Sequence, residues 1–165
     1  MDAVRVGALL AAEIPDDPPE GFEPLPTGTG FNLFFGPIYG RLVDGKLRLA
    51  MRIGRRHINP HDTCHGGVLA SFADMQVYVS QQQQAGLRHM LMPTISMTLD
   101  YIAPAMLGDW LEGHTTPLRA TRTTLFQQTL AMVGDRLVFR ASAIYRVSGR
   151  TAPTGSTVGD LFPGD

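Results

Sequence analysis

Only one cysteine, Cys64, stands among the 165 residues. No internal disulfide framework is available, and a reducing, cytoplasmic setting is expected. Charge is sparse as well: 18% of the residues are charged and the net charge is −1. No Lys/Arg run gathers into an electrostatic footprint, which argues against a nucleic-acid partner. No apolar run approaches the ~20 residues that cross a bilayer, so no membrane span is expected. The segment MDAVRVGALLAAE comes nearest to a signal peptide. Its apolar run is short, Asp2 weakens the positive end, and Glu13 and Pro15 follow, so a cleaved leader is not the expectation. What is present is 44% hydrophobic content, which suits one domain with a sizeable core.

The chain divides by composition into an N-terminal arm over 1–30, a folded domain over 31–148 and a loop-like tail over 149–165. Residues 1–13 could form a short amphipathic helix, whereas IPDDPPEGFEPLP is too rich in proline and acid for regular structure. In FNLFFGPIYG, Phe31, Leu33, Phe34 and Phe35 call for burial, either as a short helix capping the domain or as a flap over a pocket. Asp44-Gly45 between two alternating runs signals a tight hairpin, with Leu47, Leu49, Met51 and Ile53 on one face of the second strand. HINPHDTCHGG then feeds an apolar helix of roughly 17 residues, about 25 Å long. Strand patterns follow over TISMTLDYIAP, Asp109 to Leu118, Arg122 to Val133 and Arg136 to Val147, the last two joined at Gly134-Asp135. A helix followed by strands in series favours an antiparallel sheet with the helix against one face. A helix apolar nearly all round needs more cover than one sheet gives, so either the sheet curls about it or a second subunit covers the remainder.

Asp74 is the odd residue of that helix. It is the only side chain charged at neutral pH between Gly66 and Leu87, and an unpaired carboxylate in an apolar setting is costly. It shares a stripe with Gly67, Ser71, Tyr78 and Gln81. Such a carboxylate could take a proton from water or attack a carbonyl; equally, it could be a core Asp bonded to Tyr78, Ser71 or a strand hydroxyl. Gly66-Gly67 at the helix entrance lets unpaired N–H donors approach a ligand or a developing oxyanion, or merely makes a turn. His57, His61, His65, Asp62 and Cys64 crowd into too short a loop for a zinc site, so no metal is expected. Cys64 beside His65 is a poor nucleophile pair, since sequence neighbours seldom aim at each other. The QQQQ run reads as the solvated last turn of the helix.

The run NPHDTCHGGVLASFAD from Asn59 to Asp74, then TISMTLDYIAP from Thr94 and Leu107-Gly108-Asp109, resembles the hotdog-fold acyl-CoA thioesterases of the phenylacetate-pathway (PaaI-like) branch. The likeness runs from about Gly36 to Arg146, and the GFEPLP and GPIYGR pieces also look like that branch. What the resemblance implies is an α+β hotdog fold: one long central helix wrapped by a curved antiparallel sheet. It also implies a homodimer, often a dimer of dimers, with the site at the dimer interface. Carried over residue by residue, the Gly66 N–H would polarise the thioester carbonyl and Asp74 would be general base or nucleophile. Asn59 would orient water or the thioester, His65 would steady the loop, and Thr94 would help hold the water. Gly67 and Tyr78 would border the substrate, with Tyr78 replacing the small polar residue of some relatives and so reshaping the acyl pocket. Arg122 is the candidate for the phosphates of coenzyme A, with Arg55 and Arg119 as further options. Coenzyme A would arrive as part of the acyl-CoA substrate, with no separate cofactor. Two other uses of the fold compete: enoyl-thioester hydration or dehydration, whose His-Phe-Pro-Gly motif is missing here, and a non-catalytic acyl-CoA-binding domain. Fold alone does not decide among them.

Overall fold

The Asp44-Gly45 hairpin forms as its sequence requires, with both residues at positive φ (50° and 74°), the geometry that matches a tight turn to the twist of its strands. It joins β2 (Tyr39–Val43) to β3 (Lys46–Arg52). The computed structural model describes residues 14–26 and 30–151. The helix expected over 1–13 and most of the tail lie outside the described residues. Four more strands follow the helical region: β4 (Thr94–Tyr101), β5 (Trp110–Ala120), β6 (Thr124–Val133) and β7 (Arg136–Arg146). With the two-residue β1 (Glu23–Pro24) they make one curved antiparallel sheet in the order β1-β2-β3-β5-β6-β7-β4. Among the described residues β4 is an edge strand, paired through β7 alone.

The long helix crosses one face of this sheet and is broken near its middle. α1 (Phe31–Phe35) precedes it; α2 (Gly66–Met75) and α3 (Val77–Gln83) are its two halves. Leu69, Phe72, Ala73, Met75 and Val79 enter the main core with Leu49, Met51, Ile53, Leu111, Ala131 and Phe139. The opposite side of the helix is only half-covered among the described residues, so of the two arrangements the sequence left open, the sheet by itself does not enclose it. The break falls at Gln76, whose N–H bonds the Ala73 carbonyl and whose side chain is fully buried. Gly113 on β5 makes room for that side chain: a Cβ there would lie 2.3 Å from Gln76 Oε1.

Two expectations are corrected. The QQQQ run is not a solvated turn: Gln82 is buried, its Oε1 accepts from the Leu47 N–H and its Nε2 donates to the Gly45 carbonyl, so it ties α3 to the β2–β3 hairpin. Nor are all the aromatics of FNLFF buried. Phe35 is, but Phe31, Leu33 and Phe34 remain exposed, because α1 lies as a flap whose last carbonyl is held by His57 Nε2 at 2.6 Å. The arm before it is packed: Phe22 meets Trp110 edge-on at 5.1 Å, and Arg52 donates to the carbonyls of Asp16 and Asp17.

Candidate active site

His65 shapes the helix entrance. Its backbone is extended as N-cap of α2, and its Nδ1 accepts from the Gly67 N–H at 2.9 Å. Capping by a side-chain acceptor satisfies one of the donors that every helix start leaves open. It also fixes the tautomer, since an Nδ1 that accepts from an N–H carries no proton. Gly67 is therefore occupied, while the Gly66 N–H meets no acceptor among the described residues. The Tyr101 hydroxyl donates to the Gly66 carbonyl at 3.1 Å and its ring lies beside Gly66, a neighbour that nothing in the sequence pattern announces.

Asn59 is engaged upstream in the loop. Its Nδ2 donates to Thr63 Oγ1 at 2.9 Å, and its Oδ1 accepts from the His61 N–H at 2.8 Å, an Asx turn that folds the loop on itself. Cys64 is buried, and burial pushes its thiol pKa up to about 12. At neutral pH it is a thiol, not the thiolate that nucleophilic chemistry requires. No group of three or more His, Cys, Asp or Glu side chains suited to a metal occurs among the described residues.

Asp74 lies near the end of α2, half-buried rather than enclosed. Thr94 Oγ1, at the start of β4, donates to Asp74 Oδ1 at 2.6 Å. Oδ2 has no hydrogen-bond partner among the described residues. Beside the carboxylate opens a cavity of about 150 Å³, lined by Phe31, Asn32, Ser71, Asp74, Met75, Val77 and Tyr78. Tyr78 has its pKa raised, first by burial and further by the charge of Asp74, while a hydrogen bond from Asn32 works against the shift. Phe31 comes from the run expected to cap the domain or cover a pocket, whereas Asn32 is a wall residue that sequence reasoning did not single out; its place as the one polar residue inside the FNLFF run was the available signal.

Asp74, Thr94 and Tyr78 are thus brought together, and His65, Gly66 and Gly67 are brought together two turns away. Arg122 belongs to neither group. It is exposed on the turn between β5 and β6, at the end of the sheet where Thr123 accepts from the Val147 N–H and Pro93 from the Arg146 N–H. No helix among the described residues is long and apolar enough to cross a membrane.

Comparison with known proteins agrees with this architecture. The family model described as the thioesterase superfamily matches residues 61–130, the stretch that carries the helix entrance, Asp74 and Thr94. A Pseudomonas aeruginosa protein provisionally named an esterase is 32% identical over 131 residues, spanning 78% of this chain and 96% of the relative. Among solved structures, zebrafish thioesterase superfamily member 2 superposes with a TM-score of 0.65 at 18% identity, over 73% of this chain and 88% of its own. The Escherichia coli PaaI protein of the phenylacetic acid degradation operon does so with 0.58 at 20%, over 65% of this chain and 75% of its own. At these identities the structural likeness is one of fold, whereas the Pseudomonas relative is close enough over its length to carry kinship. The chain belongs to the thioesterase superfamily and has its hotdog fold.

Proposed function

We propose that the protein hydrolyses an acyl-CoA thioester to the free acid and coenzyme A. The observation that carries this reading is the Asp74 carboxylate: one oxygen is fixed by Thr94 at 2.6 Å, the other meets no hydrogen-bond partner among the described residues, and a cavity of about 150 Å³ opens beside it. A carboxylate with one oxygen pinned and one open is equipped to take a proton from water. Water adds to the thioester carbonyl and its proton passes to Asp74. The C–S bond then breaks and the departing thiolate takes the proton back, leaving acid and thiol. In the second route, an Asp74 oxygen attacks the carbonyl itself and the C–S bond breaks, expelling the thiolate; water then cleaves the mixed anhydride to the acid and the free Asp74 carboxylate, and its proton goes to the thiolate. A Streptococcus mutans protein of the same fold was solved with acetyl-CoA bound (TM-score 0.58, 17% identical), which supports coenzyme A as the carrier.

The oxyanion donor in this reading is the Gly66 N–H. It stands on the same helix as Asp74, about 12 Å away at about 1.5 Å of rise per residue, too far for both to meet one carbonyl. A complete site therefore takes Gly66 from one copy and Asp74 from another, which is the homodimer. The half-covered side of the helix and the edge strand β4, with Ile95 and Tyr101 exposed, suit that pairing. A dimer of dimers is compatible with the same interface.

The test is release of free thiol from a panel of aryl- and medium-chain acyl-CoAs by wild type, Asp74→Ala and Asp74→Asn. Turnover by wild type with a loss of at least 100-fold in both variants supports the reading. A folded wild type that cleaves none of the panel, or variants that match it, overturns it. Tight acyl-CoA binding without turnover would assign the chain to the non-catalytic use of the fold instead.

A further inference from the structure

A seam of buried polar side chains runs between the helix and the sheet, where a core is ordinarily apolar. Gln76, Ser80, Gln127 and Thr129 are all buried, and Tyr145 is fully enclosed. Buried polar groups are costly unless every one of them is satisfied, and the satisfaction here has a direction. Ser80 Oγ donates to Gln127 Oε1 at 2.7 Å, Gln127 Nε2 donates to the Tyr145 hydroxyl at 3.4 Å, and that hydroxyl donates to the main-chain carbonyl of Asp74 at 3.2 Å. On the other side of the break, Gln76 Nε2 donates to the Phe72 carbonyl at 3.3 Å, and Thr115 Oγ1 donates to Gln76 Oε1 at 2.9 Å. Where the helix ladder is interrupted, two nearby carbonyls, those of Phe72 and Asp74, are met by buried side chains. Burial and the nearby Asp74 charge both raise the Tyr145 pKa, so the hydroxyl keeps the proton it donates.

The sheet register sharpens the point. Tyr145 on β7 is the cross-strand partner of Thr94 on β4. One member of this pair holds the Asp74 carboxylate and the other holds the Asp74 carbonyl. A side chain gripped only at its tip can rotate with its backbone; one gripped at both ends is fixed in direction, and misplacement of about 1 Å can cost a reaction about 100-fold.

We propose that Tyr145 is a positioning residue for Asp74: its buried hydroxyl fixes the Asp74 carbonyl at the helix break and so aims the free carboxylate oxygen into the cavity. This rests on the thioesterase reading for its consequence in catalysis, but its structural content stands apart from it. The experiment compares Tyr145→Phe, which removes the hydroxyl and keeps the ring, with Ser80→Ala, which cuts the same chain of bonds at the end remote from Asp74. Thioester turnover, thermal midpoint and the 13C carboxyl signal of Asp74, assigned by its disappearance in Asp74→Asn, are measured for each. Both variants should lose thermal stability. Only Tyr145→Phe should lose kcat, by about tenfold, with KM within twofold of wild type, and only it should move the Asp74 signal. Unchanged kcat in Tyr145→Phe, equal loss in both variants, or an Asp74 signal that stays in place would each overturn the proposal. If the wild type hydrolyses no thioester, the functional reading fails on that result and the carboxyl signal alone decides the role of Tyr145.

Discussion

Thr94 Oγ1 donates to Asp74 Oδ1 across 2.6 Å, tying the first residue of the edge strand to the end of α2. The bond links a largely exposed edge strand to the one charged side chain of the central helix. It leaves Oδ2 as the carboxylate oxygen without a hydrogen-bond partner among the described residues. Strand order makes this possible: β4 is last in the sheet although it is fourth in the chain, so its start reaches over the helix rather than into the sheet interior.

Removing that hydroxyl should lower turnover without unfolding the protein. Hydrogen bonds to charged groups contribute about 1.5–3 kcal/mol, and each ~1.4 kcal/mol is a factor of ten in rate. Thr94→Val keeps the shape and loses the donor, so kcat should fall about tenfold, and the thermal midpoint should drop by a few degrees while the protein stays folded. Thr94→Ser should restore most of the rate. Steady-state kinetics on the best acyl-CoA of the panel checks both, and a Val variant as fast as wild type would remove Thr94 from the site.

The hairpins, the strand order along the chain and the helix were legible in the sequence because alternation and helical spacing are local signals. Asp74 was legible because a lone acid in an apolar run has to be explained. The break at Gln76 was not. Glutamine is a good helix former, and the break is imposed from a distance by Thr115 and by the space at Gly113. The burial of Gln82 was hidden for the same reason, its partners being the backbone of a hairpin more than thirty residues earlier. The flap was half legible: the sequence allowed a cap or a cover, and the His57 bond to the Phe35 carbonyl decides where it lies.

Gly66→Ala separates close approach of a ligand from mere flexibility. A Cβ at Gly66 would sit 3.6 Å from the Tyr101 ring, an ordinary contact, and the residue is already helical. Stability should hold or rise slightly, because alanine is the better helix former. If the thioester carbonyl must reach the Gly66 N–H, the added methyl should cut kcat/KM by at least tenfold. Full activity in a stable Gly66→Ala variant would place the carbonyl elsewhere.

Gly113→Ala should destabilise strongly, since its Cβ would fall 2.3 Å from Gln76 Oε1 and 2.5 Å from Cδ. That amide cannot simply swing away, being fully buried and held by Thr115. Overpacking of this kind costs about 1–3 kcal/mol. Gln76→Ala alone should also destabilise, by taking the buried donor from the Phe72 carbonyl and leaving a cavity beside Gly113. The double variant should cost less than the sum of the two, because the second change removes the clash made by the first. Urea denaturation of the four proteins measures the coupling, and strict additivity would show that the two positions do not meet.

His114 should make the fold sensitive to mild acid. Its pKa is lowered below the ordinary histidine value, first by burial and then by Arg48, with Glu112 opposing. The Arg48 guanidinium donates to its Nε2 at 3.1 Å, a contact that only neutral imidazole accepts. In the unfolded chain the ring titrates near 6.5, so as pH falls through that value the unfolded state binds the proton first. Stability should therefore decline from about pH 6.5 down to the lower folded pKa and then level off with respect to this group. His114→Gln keeps an acceptor for Arg48 and cannot titrate. Its urea midpoint should fall less between pH 7.5 and 5.5 than that of wild type, and equal falls would show that protonation of His114 does not weaken the fold.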